Sequence, residues 1–83
     1  MVKVLYFGRL ADASQVSETE LQVPESGLEV EAFRALVADG NPALAAALVR
    51  PSVRVAINSV LALPGAVVRN SDEVAFLPAV SGG

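Results

Sequence analysis

Residues 29–40 read Glu29-Val30-Glu31-Ala32-Phe33-Arg34-Ala35-Leu36-Val37-Ala38-Asp39-Gly40. Val30, Phe33, Leu36 and Val37 fall at i, i+3, i+6 and i+7, which lays one apolar stripe along a helix. Glu29 and Glu31 occupy the first turn, where the helix dipole favours negative charge. Gly40 is a C-terminal stop. Asn41-Pro42 then reads as a cap followed by proline at the first helical position, so a short alanine-rich helix is expected over 42–48.

On both sides the period falls to 2. Residues 2–7 alternate, with Val2, Val4 and Tyr6 on one face and Lys3, Leu5 and Phe7 on the other. Residues 8–17 read as a polar connection. Residues 18–23 fit a second strand, with Thr19, Leu21 and Val23 on one face, and Pro24-Glu25-Ser26-Gly27 stops it. Downstream, residues 53–57 form a strand with Val53, Val55 and Ile57 inward and Arg54 and Ala56 outward. Asn58-Ser59 is a turn, and 60–63 is a short edge strand ended by Pro64-Gly65. Asn70-Ser71-Asp72 turns the chain into the last strand, 73–77, where Val74 and Phe76 oppose Ala75 and Leu77. The order predicts an α+β fold of the β-grasp kind: a four- to five-stranded mixed sheet wrapped around one main helix. The first and last strands pair centrally in parallel if the helix is the crossover. The domain is expected over 1–78 and a flexible tail over 79–83.

Composition narrows the function. The 83 residues are 53% hydrophobic, 18% charged and 5% aromatic, with a net charge of −3. That suits one small globular domain, not a disordered chain. The 14 alanines and 14 valines imply a core of small and β-branched side chains. There is no Cys, His or Trp. Without Cys or His the chain lacks a thiol nucleophile, the commonest general base and the commonest metal ligands, so a self-contained hydrolase or metalloenzyme is improbable and no metal site is expected. Lys3 and five arginines against nine acids give no basic patch for nucleic acid. No apolar run reaches membrane-spanning length and the N-terminus alternates like a strand, not a signal peptide, so a cytoplasmic protein is expected.

One helix covers one face of a sheet. If Val2, Val4, Val53, Val55, Ile57, Val74 and Phe76 face it, then Lys3, Leu5, Phe7, Arg54, Ala56, Ala75 and Leu77 face out. Leu5, Phe7, Ala75 and Leu77 would form an apolar patch beside the start of the tail. Such patches mark partner surfaces, although scattered surface apolars or partial cover by 8–17 give the same pattern.

The sequence closes on Val80-Ser81-Gly82-Gly83. With glycine at about 7% of residues, a terminal pair arises by chance about once in 200 chains. A frayed end is one explanation; activation of the terminal carboxylate is another. A free carboxylate is a poor acyl donor, but attack on the α-phosphate of ATP converts it to an acyl-adenylate, from which a sulfur nucleophile displaces AMP. Two glycines remove both Cβ atoms and admit the chain to a narrow active site on another protein. Five extended residues reach roughly 17 Å. No side-chain base is needed on this chain.

Three segments carry a resemblance: Val2-Lys3-Val4-Leu5-Tyr6-Phe7-Gly8-Arg9-Leu10, Val55-Ala56-Ile57-Asn58, and Asp72-Glu73-Val74-Ala75-Phe76-Leu77-Pro78-Ala79-Val80-Ser81-Gly82-Gly83. Over its whole length the chain resembles the small subunits of molybdopterin synthase, which are ubiquitin-like sulfur carriers. It departs from their pattern at Ala79, where a second proline is usual, and at Asn70-Ser71, where Asp-Gly is usual. The resemblance implies that the chain is not an enzyme on its own. Gly83 would be adenylated by a ubiquitin-activating-like adenylyltransferase that uses ATP, then thiocarboxylated by a sulfur donor enzyme, with no cofactor bound permanently. Val80, Ser81, Gly82 and Gly83 would enter the large subunit of the synthase, in a heterotetramer, and pass sulfur to cyclic pyranopterin monophosphate to build the molybdopterin dithiolene. Leu5, Phe7, Arg54, Leu61, Ala75, Leu77 and Pro78 would form the docking face.

Three other readings stand beside this one. A thiamine-pathway sulfur carrier shares fold and terminus but is typically shorter and lacks the Pro-x-Val-Ser-Gly-Gly ending. A ubiquitin-like protein modifier would join Gly83 to a lysine of a target. An interaction module would have an inert tail. The remaining polar residues read as structural: Asp72 and Glu73 point oppositely on a strand and form no acid/base pair, Asn58 stabilises a turn, and Ser81 has no base to activate it.

Overall fold

The first and last strands lie side by side in the middle of the sheet, as the crossover argument requires. The computed structural model describes residues 1–78; the tail 79–83, with Val80, Ser81, Gly82 and Gly83, lies outside the described residues. The elements run β1 (Val2–Tyr6), α1 (Arg9–Ser14), β2 (Glu18–Leu21), β3 (Leu28–Glu29), α2 (Val30–Val37), α3 (Pro42–Leu48), β4 (Arg54–Ile57), β5 (Val60–Leu61), β6 (Val67–Val68) and β7 (Glu73–Leu77). The main sheet has the order β2-β1-β7-β4-β5. β1 and β7 are parallel, with Val4 opposite Val74 and Tyr6 opposite Phe76; β1–β2, β4–β7 and β4–β5 are antiparallel. This is the expected mixed, five-stranded α+β arrangement.

The core forms where alternation and helix stripe meet. Val2, Val4, Tyr6, Val53, Val55, Val74 and Phe76 are buried against Val30 and Phe33 of α2 and Leu44 and Leu48 of α3. Ile57, at the end of β4, is half-buried. Asn41 caps α3 as its position predicts, accepting from Leu44 N–H at 3.1 Å. Glu29 lies one residue outside α2 and is its cap: its carboxylate accepts from the N–H of Glu31 at 2.9 Å and of Ala32 at 3.4 Å.

Four features depart from the sequence expectation. The polar connection 8–17 contains α1, whose Leu10 is fully buried in the core while Arg9 and Asp12 face solvent. Six residues are too few for a period to show, and one buried leucine with its contacts to α3 holds the turn and a half in place. Leu36 is exposed, not part of the stripe: it sits roughly 100° around the helix from the seam that Val30, Phe33 and Val37 define. Ala56 faces outward but is covered, because a lone methyl is shielded by the flanking strands that carry Leu61 and Ala75. A second, two-stranded sheet pairs β3 with β6, Leu28 opposite Val68. Gly27 enters it at φ 88°, and a Cβ there would lie 2.5 Å from Val67 Cγ1, so only glycine fits.

Asn70 does more than turn the chain. Its side-chain amide donates to Val23 C=O at 2.8 Å and accepts from Val23 N–H at 3.1 Å, standing in for a strand partner to the segment after β2. Asn70→Ala strands both backbone groups and should cost about 2 kcal/mol, measured as a shift in urea midpoint at unchanged m-value.

Candidate functional site

The site is the C-terminal end of β7 and the sheet face around it. Strand alternation puts Ala75 and Leu77 on the outer face, and the pairing register sets Leu5 beside Ala75, Ala75 beside Ala56, Ala56 beside Leu61, and Leu77 beside Arg54. A cross-strand row Leu5–Ala75–Ala56–Leu61 therefore spans four strands. Leu5, Ala75, Leu77 and Pro78 are half-buried, while Arg54 is exposed, Phe7 is 46% exposed and Leu61 59%. Of the expected docking residues, Leu5, Arg54, Leu61, Ala75 and Leu77 thus share one face, with the buried Ala56 inside the row.

Contacts from the end of β1 seat the last described residues, 76–78. Phe7 N–H donates to Phe76 C=O at 3.2 Å, extending the β1–β7 ladder by one residue. Gly8 follows at φ 57° and ψ −134°, a region that strains any residue with a Cβ. A Cβ at Gly8 would stand 3.0 Å from Pro78 Cγ, so the proline ring lies directly against the bare glycine backbone. Pro78 is thereby fixed at the rim of the outer face. Sequence reading missed the role of Gly8; its position at the end of an alternating strand is the available signal.

Underneath, Tyr6 and Phe76 stack with ring centroids 6.1 Å apart and planes 13° apart. Burial raises the Tyr6 hydroxyl above its ordinary value of 10.0. The folded state therefore holds the Tyr6 proton more tightly than the unfolded chain does. Its stabilisation is complete below pH ~10 and fades as pH rises through the folded-state value. Tyr6→Phe should flatten the loss of urea stability as pH rises above ~10.

The turn facing the other end of β7 is structural. Asn58 and Ser59 both have positive φ, 52° and 70°, as a two-residue hairpin turn requires. Asn58 Nδ2 donates to Asp72 Oδ1 at 2.9 Å, and Asn58 Oδ1 accepts from Glu73 N–H at 2.9 Å. Asp72 Oδ2 accepts from Arg69 N–H at 2.8 Å. These bonds tie the β4–β5 turn to the start of β7 and engage Asp72 within the fold. Among the described residues no group of three or more Asp or Glu is placed to hold a metal ion.

The architecture and the face define a ubiquitin-like β-grasp domain whose central last strand ends beside an exposed apolar surface. The chain belongs to the ThiS family, whose pattern matches residues 4–83. It is 34% identical over 83 residues to the molybdopterin synthase sulfur carrier subunit of Haemophilus influenzae, covering all of both chains. Among solved structures, SAMP1 from Haloferax volcanii aligns with a TM-score of 0.81 at 26% identity, over 99% of this chain and 98% of that one. The small archaeal modifier protein 1 of Methanosarcina acetivorans aligns with a TM-score of 0.79 at 26% identity, over 99% and 95%.

Proposed function

We propose that this chain is the sulfur-carrying small subunit of a molybdopterin synthase, with a folded domain over 1–78 and a reactive tail over 79–83. The observation that carries the reading is the end-to-end likeness, at 34% identity, to a relative named for that role, in a chain that closes on Gly82-Gly83. In this reading the Gly83 carboxylate attacks the α-phosphate of ATP on a ubiquitin-activating-like enzyme and releases pyrophosphate. A sulfur nucleophile then displaces AMP and leaves a thiocarboxylate. Val80 to Gly83 enter the large subunit, in a heterotetramer, and the sulfur passes to cyclic pyranopterin monophosphate. Leu5, Phe7, Arg54, Leu61, Ala75, Leu77 and Pro78 form the docking face, and ATP is the activating enzyme's substrate. In this reading the work takes place in the cytoplasm. No helix among the described residues is long and apolar enough to cross a membrane. The chain supplies a positioned main-chain end, and its partners supply acid, base and pterin site.

The likeness to the archaeal modifiers favours a second reading, in which the Gly83 carboxyl joins a lysine of a target protein. Reconstitution separates the two. Thiocarboxylated chain mixed with a large subunit and the cyclic pterin should yield one dithiolene, which holds two sulfurs, for every two thiocarboxylates returned to carboxylate. Conjugates on cellular proteins without dithiolene formation would favour the modifier.

A further inference from the structure

Residues 60–67, Val60-Leu61-Ala62-Leu63-Pro64-Gly65-Ala66-Val67, contain no polar side chain, yet Val60 is 69% exposed, Leu61 59% and Leu63 76%. An exposed apolar run of this length marks a contact surface. It begins on β5, the open edge of the main sheet. The opposite edge, β2, carries exposed Glu18 and Glu20, the charged guard that discourages edge-to-edge pairing. β5 has no such guard.

The pairing of β4 with β5 fixes what the edge offers. Ile57 opposes Val60 and Ala56 opposes Leu61, and Ala62 N–H donates to Val55 C=O at 2.8 Å. Antiparallel hydrogen bonds alternate along a strand. The N–H and C=O of Leu61 therefore point out of the sheet edge, away from β4.

We propose that β5 pairs antiparallel with β5 of a second copy about a two-fold axis at Leu61, giving a weak homodimer of the free chain. A donor and an acceptor on one residue are self-complementary across such an axis: each Leu61 N–H meets the other Leu61 C=O. Charge favours this edge over the other. The net charge of −3 makes two copies repel, but residues 60–67 carry none of it, whereas pairing at β2 would bring Glu18 and Glu20 of both copies together. The exposed parts of Val60, Leu61, Leu63 and Val67 amount to roughly half of the ~800 Å² per partner that a stable pair buries, so the pair is a weak one. The proposal rests on the geometry of the edge and stands or falls independently of sulfur transfer.

Sedimentation velocity of the full chain from about 10 μM to about 1 mM tests it over the range that matters. The mean mass should rise from 8.5 kDa toward twice that value. Leu61→Lys should weaken association at least tenfold, and Glu20→Lys at the far edge should not weaken it. Because the chain has no cysteine, Leu61→Cys would place a lone thiol at the axis, where a Cα separation of about 5.5 Å permits a disulfide. Oxidation should cross-link it faster than Glu20→Cys, a readout that holds even if the lysine variant folds poorly. A monomeric mass over the whole range, or association that Leu61→Lys leaves intact, would overturn the pairing. So would a chain that stays monomeric alone and uses this edge only against a large subunit.

Discussion

Deleting Gly83 should abolish sulfur transfer, a loss of about 1,000-fold or more, while the melting curve stays where it is. The size of the effect follows from which atom reacts. The proposed acyl group is the last carbonyl of the main chain, so removing one residue withdraws it by about 3.5 Å from a catalytic pocket built for the longer chain. Misplacement by even 1 Å can cost about 100-fold in rate. Stability should not follow, because Phe76, Val74, Val4 and Phe33, all fully buried, lie within residues 1–78 and stay in place. Docking on the outer face should also survive, since Leu5, Phe7, Leu61 and Leu77 are untouched. An activity assay paired with thermal melting checks both halves, and transfer persisting in the truncated chain would leave the tail with no chemical role.

Phe76→Ala should show the reverse pattern. Phe76 is fully buried on the central strand, between the strands that hold Tyr6 and Val55, and its ring stacks on Tyr6. Removing it leaves a cavity next to the parallel β1–β7 pair and should cost about 3–5 kcal/mol. That is a large fraction of the ~5–15 kcal/mol that holds a domain of this size together. The melting temperature should fall by about 15–30 °C. Activity at low temperature should fall less than stability does, because Gly83 and the outer-face side chains are retained. Calorimetry and a transfer assay on one preparation measure both. A drop below about 1 kcal/mol would mean that the core is not organised around this strand.

The strands and the main helix were legible because each repeats its signal. Val2, Val4 and Tyr6 alternate, Val30, Phe33 and Val37 recur at helical spacing, and Asn41-Pro42 marks a helix start with a residue type that has one mechanical use there. What escaped is what depends on contacts distant in sequence. The helix holding Leu10 is too short to show a period, and its stability comes from packing against α3. The β3–β6 pair has two residues per strand, and its strongest clue, Gly27, acquires meaning only once Val67 lies against it. Asn70 looks like any turn residue until Val23, 47 positions away, is found bonded to its amide. Leu36 fitted the stripe by count yet lies off the seam by angle. At the site, the face was legible from alternation alone, while its closure over Ala56 and the seating of Pro78 on Gly8 were not, since both depend on how neighbouring strands crowd a small residue. The chemistry expected of Gly83 was read from the final residues and from what the chain lacks, His and Cys.

Intact-mass spectrometry of the full chain, after incubation with ATP, an activating enzyme and a sulfur source, puts the proposed chemistry to its most direct test. Replacing one oxygen by sulfur should add about 16 Da, and fragmentation should place the whole increment on Gly83. A chain that gains no mass under conditions that charge a known carrier, or that gains it at any residue other than Gly83, would contradict the assignment of the main-chain terminus as the reactive group.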